Sequence, residues 1–135
     1  MIPERDHVTG LAPRRHLEDL LEAPWRDPAA LLIADVVALK QVNETAGFRA
    51  GDDRLRHAAD RLRTAAPSAT ITARLGGDEM VALFTGATAL ADAESAATRL
   101  RSAGEPALRA AAAAVVPGAD PWAVLERLYA SLRRS

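Results

Sequence analysis

The sequence predicts an α/β chain: a mixed β-sheet with an antiparallel hairpin at its centre and helices packed on it. Three observations lead there. Ala30 to Leu39 is an almost continuous apolar run, with the length and uniformity of a central strand covered on both faces. Two strand-like runs, 70–75 and 80–84, flank Gly76-Gly77-Asp78-Glu79, which reads as a hairpin turn. Amphipathic helical periodicity fills most of the remaining chain. The length of 135 residues suits a single domain spanning 1–135. Aromatics are only 4% of the chain, so its core must be built from Leu, Val, Ile and Ala.

The elements follow in order. Asp6 to Arg15 opens with turn and cap signals. Pro13 suits the first turn of a helix, where a missing N–H costs nothing. That helix should run to about Glu22 with Leu17, Leu20 and Leu21 on one face. Pro24-Trp25-Arg26-Asp27-Pro28 is a loop. In the apolar run that follows, Asp35 is the only charge before Lys40. A carboxylate there is costly unless it ends the strand or binds a cation. Lys40 to Gly47 reads as a short helix ended by glycine.

Residues 48–53 lead into a longer helix. Leu55, Ala58, Ala59 and Leu62 form its buried face, while Arg54, Arg56, Asp60, Arg61 and Arg63 are expected in solvent. His57 reads as a surface or packing residue. Pro67-Ser68 breaks that helix before the hairpin, and Gly86 closes the second hairpin strand. A helix follows from Ala89 to about Ala103, with Leu90, Ala93, Ala97 and Leu100 inward. Leu108 to Val116 is compositionally ambiguous, since alanine favours helix. Its turn-rich brackets decide for a buried strand. Asp120-Pro121 then caps a last helix through Leu132, with Val124, Leu125, Leu128 and Leu132 on its apolar face.

Composition excludes some functions. A formal net charge of -1 provides no field for nucleic acid or a membrane surface. With no cysteine, disulfide and zinc-thiolate chemistry is excluded. No apolar run is long enough to span a bilayer, and no signal peptide is evident, so the expected location is the cytoplasm. The arginines of 54–63 read as a helix surface.

The chemistry concentrates at the hairpin. Gly76 and Gly77 allow positive φ and let phosphates approach bare backbone. Asp78 and Glu79 at the tip are suited to a divalent metal. Asp35, at the end of a neighbouring strand, can face Asp78. Two carboxylates from adjacent strands are what a magnesium–triphosphate site needs, because phosphates and water supply the other ligands.

Three blocks of the chain resemble the GGDEF domain, the catalytic domain of diguanylate cyclases. Asp6-His7-Val8-Thr9-Gly10-Leu11-Ala12-Pro13-Arg14-Arg15 resembles the family's opening D-x-L-T-G-L-x-N-R-R. Asp35 to Gly47, continuing to Gly51-Asp52, resembles D-x-D-x-F-K-x-x-N-D-x-x-G-H-x-x-G-D. Arg74-Leu75-Gly76-Gly77-Asp78-Glu79-Met80 resembles R-x-G-G-D-E-F. The resemblance covers Asp6 to about Phe84 and weakens beyond.

It implies a palm-like nucleotidyl cyclase fold that joins two GTP into cyclic di-GMP, with Mg²⁺ or Mn²⁺ as cofactor and two domains face to face. It further implies that Asp35 and Asp78 bind the metal with the Val36 carbonyl. Glu79 would support that site or accept the 3′-hydroxyl proton. Gly76 and Gly77 would let the nucleotide lie on the hairpin, Lys40 would touch phosphate, and Asn43 and Asp52 would read the guanine edge. A weak or substrate-induced homodimer is the expected assembly.

The departures define alternatives. Val37 stands where the family has the second acid of D-x-D, and Phe48 where it has His. Pro67-Ser68-Ala69-Thr70 replaces the inhibitory R-x-x-D. The strand that usually carries Ser-Ile-Gly is an alanine run. The C-terminal Lys has no match, with Arg133 or Arg134 as possible substitutes. One alternative is a degenerate domain that binds GTP or a protein partner without turnover. Another is a related palm-domain cyclase with a different cyclic nucleotide product.

Overall fold

The computed structural model describes residues 4–22 and 25–134, the last by its backbone alone. Pro24 of the expected loop therefore lies outside the described residues, as does the side chain of Arg134. Nine elements follow one another: α1 (Arg14–Leu21), β1 (Ala29–Val36), α2 (Leu39–Ala46), α3 (Phe48–Ala65), β2 (Ile71–Arg74), β3 (Glu79–Thr85), α4 (Ala89–Arg101), β4 (Leu108–Val115) and α5 (Pro121–Arg134). Their order and type agree with the sequence reading, including the alanine-rich β4.

The sheet has the order β2-β3-β1-β4. All its strand pairs are antiparallel, whereas a mixed sheet was expected. The parallel component is reduced to one isolated bridge between Ala12 and Ala73. Burial of β1 on both faces still holds, because helices cover both sides. Ala30, Leu32, Ala34 and Val36 pack among residues of α3 and α4. Ala29, Leu31 and Ile33 pack among residues of α1 and α5. The two-residue period of a strand sends alternate side chains to these two cores.

β1 stops at Val36, three residues short of the apolar run, because the chain turns. Ala38 adopts φ 64 and ψ 24 as the residue before α2, a left-handed conformation uncommon for alanine. Gly47, with φ 93, separates α2 from α3. α3 starts at Phe48, so Gly51 and Asp52 lie within it.

Several side chains depart from their expected places. Pro13 is the residue before α1, not within its first turn. Leu20 and Leu90 are each 38% exposed. The buried stripes run through Leu17 and Leu21 of α1, and through Ala89, Ala93, Ala96, Ala97 and Leu100 of α4, leaving those two leucines at the edge. Three arginines of α3 are not simply solvated. Arg54 donates twice to the Val37 carbonyl, Arg61 to the Pro106 carbonyl at 2.7 Å, and Arg63 to the Thr9 carbonyl at 3.2 Å. Their guanidinium groups satisfy carbonyls of the loops packed beside the helix. At α5, Asp120 accepts from the Trp122 N–H at 3.0 Å, as an N-cap should.

Candidate functional site

Antiparallel register decides which charges meet. Asp35 pairs with Glu79 on β3 and with Arg109 on β4. By alternation all three belong to the face covered by α1 and α5, so Glu79, Asp35 and Arg109 form a row across the end of the sheet. Asp35 is 8% exposed. Arg109 meets it as a fork, Nε on one carboxylate oxygen at 2.9 Å and an Nη on the other at 3.0 Å. Such a bidentate pair supplies the counter-charge that a buried carboxylate requires.

The hairpin tip adjoins the row. The Val36 N–H donates to the Asp78 carbonyl at 3.0 Å, holding the tip against the end of β1. Leu75 N–H donates to the Glu79 carbonyl at 2.9 Å and closes the turn. Neither Gly76 nor Gly77 has positive φ, so left-handed freedom is not why glycine stands there. Space is the reason at Gly76, where a Cβ would lie 2.9 Å from a Glu79 carboxylate oxygen. At Gly77 a Cβ would meet nothing within 4 Å.

Arg74 braces this turn. Its guanidinium donates to the Gly76 carbonyl at 3.3 Å, to the Gly77 carbonyl at 2.9 Å and to both Asp6 oxygens at 3.3 Å. Asp6 also accepts from the Thr9 N–H and hydroxyl, each at 2.8 Å. Burial pushes the Asp6 carboxyl up, but these hydrogen bonds and the Arg74 charge outweigh it and leave the pKa lowered. The first and third motif blocks thus meet through this ion pair, through the Arg74 N–H on the Ala12 carbonyl at 2.9 Å and through Arg14 on the Leu75 carbonyl at 3.4 Å.

Glu79 has the opposite balance. Burial, then the negative charges of Asp78 and Asp35, raise its pKa, opposed by a Tyr129 hydrogen bond and the Arg133 charge. Arg133 donates to the Tyr129 hydroxyl at 2.7 Å and lies 5.2 Å above the ring. Residues from α5 thereby reach the hairpin and, with Arg14 and Leu75, border a cleft of about 270 Å³ beside Glu79.

The structure brings Asp35, Val36, Asp78, Glu79, Gly76 and Gly77 together. Lys40 lies at the start of α2, Asn43 in its middle and Asp52 in the first turns of α3. Lys40 is 84% exposed and pairs with Glu44 at 4.0 Å. Asn43 packs so tightly over Gly51 that a Cβ there would overlap its amide oxygen. Asp52 is half-buried on α3. Among the described residues, no hydrogen bond or ion pair of these three reaches the row.

A divalent cation fits the donor set chemically. Three carboxylates adjoin, and Asp78 and Asp35 already raise the pKa of Glu79 by like-charge repulsion. Among the described residues no group of three or more acidic or imidazole side chains is placed to hold a metal ion together. That accords with an ion using one or two carboxylates and taking its other ligands from phosphate and water.

Arg109, Arg74, Asp6 and Tyr129 were not identified as site residues from sequence. The signal for the Asp6–Arg74 pair was complementary charge in two motif blocks. For Arg109 it was a lone charge inside an alanine run, readable only once the β1–β4 register is known.

Comparison with known proteins bears on this geometry. Residues 4–115 match the family model described as diguanylate cyclase, GGDEF domain. The response regulator PleD of Caulobacter vibrioides is 35% identical over 102 residues, 71% of this chain and 22% of that protein. The probable diguanylate cyclase DgcC of Escherichia coli is 33% identical over 103 residues, 71% of this chain and 26% of that protein. The chain thus spans about a quarter or less of these relatives. The crystal structure of the GGDEF domain of DgcB from Caulobacter crescentus, in complex with c-di-GMP, superimposes with a TM-score of 0.79. That match covers 100% of this chain and 91% of the other at 24% identity, and supports the fold.

Proposed function

We propose that this chain, which belongs to the GGDEF-domain family of diguanylate cyclases, forms a nucleotidyltransferase domain that condenses two GTP into cyclic di-GMP. The observation that carries the reading is the juxtaposition of Asp35, Asp78 and Glu79 at one end of the sheet, against a glycine turn with open space at Gly77.

Asp35, Asp78 and Glu79, with the Val36 carbonyl, would hold Mg²⁺ or Mn²⁺. Bound there, such an ion neutralises triphosphate charge. Glu79, with its raised carboxyl pKa, is suited to accept the proton of an attacking 3′-hydroxyl. That oxygen forms a bond to the α-phosphorus of the second GTP as the bond to pyrophosphate breaks. Gly77 leaves room for the nucleotide, and the exposed ammonium of Lys40 reaches phosphate. Asn43 and Asp52 recognise guanine, whose N1–H and exocyclic amine offer paired donors.

Each chain presents one GTP, so two chains must meet. The rate should rise faster than linearly with protein concentration; a linear dependence down to nanomolar protein counts against this assembly. Pro67 to Thr70 carry no guanidinium fork, so cyclic di-GMP should not inhibit at that face.

Incubating purified protein with GTP or ATP and Mg²⁺, then separating the products, tests the reading. Cyclic di-GMP supports it, and another cyclic nucleotide transfers the chain to a related cyclase. GTP binding without turnover supports a degenerate binding domain, a reading that Val37 and the occupation of Asp35 by Arg109 favour.

A further inference from the structure

We propose that Arg109 is a resident cation at the metal site: it holds Asp35 when no divalent ion is bound, and the ion must displace it. The inference rests on the metal-binding reading of Asp35, Asp78 and Glu79 given above.

Three observations carry it. Both oxygens of Asp35 are engaged by Arg109, at 2.9 and 3.0 Å. A metal ion coordinated by Asp35 needs at least one of them. Asp35 is buried and adjoins Glu79 and Asp78, and the other cation of this cluster, Arg133, acts on Glu79, so without Arg109 the buried Asp35 would lose its paired counter-charge. Arg109 also has the freedom to leave. It lies on the edge strand β4, and its side chain is 43% exposed against 11% for Asp35. Its guanidinium can swing into water without opening either core.

An internal guanidinium and a divalent ion therefore compete for one carboxylate. The protein should bind metal weakly until the ion's charge, or the ion together with triphosphate, outweighs the fork. The lone arginine in the alanine strand then sets the metal concentration at which the site loads.

Titration of the nucleotide-free protein with Mn²⁺, reading free Mn²⁺ by electron paramagnetic resonance, tests this without recourse to turnover. Arg109→Met keeps the stem and removes the charge. It should bind Mn²⁺ roughly tenfold tighter than wild type, as expected for losing a charge-assisted bidentate competitor. Arg109→Lys, which retains a charge but not the fork, should fall between. Asp35→Asn should abolish the binding in both the wild-type and the Arg109→Met background. Circular dichroism checks that each variant is folded, and Arg109→Lys carries the test if Arg109→Met is not. Unchanged or weaker Mn²⁺ affinity on removing the fork, with binding still dependent on Asp35, overturns the competition while leaving the metal site standing. Binding indifferent to Asp35 in every protein, or absent from every protein, overturns the metal-site reading and this inference with it.

Discussion

The two edges of the sheet are built on different principles. At the β2 edge, few residues carry many polar links. Ala12 binds the short strand from outside, its N–H donating to the Thr72 carbonyl at 3.0 Å and its carbonyl accepting from the Arg74 N–H at 2.9 Å, and the Arg74 side chain holds both glycine carbonyls and Asp6. At the β4 edge, eight residues pair along β1, but Ala110 to Ala114 provide almost no side-chain chemistry, and Arg109 alone reaches the carboxylates. The first edge retains the family's motif and the second departs from it. The glycine hairpin depends on particular side chains holding particular carbonyls, whereas a covering strand needs only backbone pairing and small volume.

The largest expected effect breaks this contrast at the hairpin tip. Asp78→Asn should lower Mg²⁺-dependent GTP binding or turnover by about 100-fold or more while changing stability by within about 0.5 kcal/mol. A variant that unfolds readily yet keeps full specific activity in its folded fraction would refute the assignment.

Next comes the brace. Arg74→Ala removes donors from two turn carbonyls and from Asp6 and should cost about 2 kcal/mol in urea unfolding, discounted for partial exposure. Arg74→Lys should recover only part, since one ammonium cannot span three acceptors. If Arg74→Ala matches wild type, the hairpin is held by its backbone alone and the contrast between the edges collapses.

A smaller effect concerns base choice. Asp52→Ala should reduce the preference for GTP over ATP about tenfold, the loss of one charge-assisted hydrogen bond. Competitive binding measures it, and equal affinities in the wild type would remove guanine reading from Asp52 and Asn43.

The smallest effects are in pH dependence and have opposite signs. Glu79 has a raised pKa in the folded state, so its contribution is fully present below the ordinary carboxylate range and is lost as pH rises through the raised value. Glu79→Gln should remove that decline, leaving the variant about a few tenths of a kcal/mol more stable near neutrality after solvent screening. Asp6 has a lowered pKa, so its contribution is present above the ordinary Asp value and lost as pH falls through the lowered one. Asp6→Asn should flatten that acid limb. Unfolding curves from pH 3 to 7 separate the two, and a shared sign would contradict the opposite environments of these carboxylates.

Much of this was legible in sequence because it is local. The apolar run, the glycine turn and the helical stripes each declare their element within about ten residues. Partners distant along the chain were not legible. Arg61 caps a carbonyl 45 residues away, and Arg109 meets an acid 74 residues away. Strand direction was also hidden, since a uniformly apolar strand reports burial on both faces but not the orientation of its neighbours. Of the two reasons read for the turn glycines, positive φ does not apply, and Gly76 is required for the room it leaves Glu79.

The alanine strand has a consequence for how the chain aligns itself as it folds. Five identical methyl groups in succession carry no information about position, so a two-residue slip of β4 along β1 would bury almost the same surface. Leu108 and Val115 mark the ends of the alignment, and the ion pair of Arg109 with Asp35 marks one point on it. A charge that lands one residue off would face the wrong core, and two residues off would leave Asp35 buried without a counter-ion. The least eventful stretch of the sequence thus relies on a single charged side chain as its vernier.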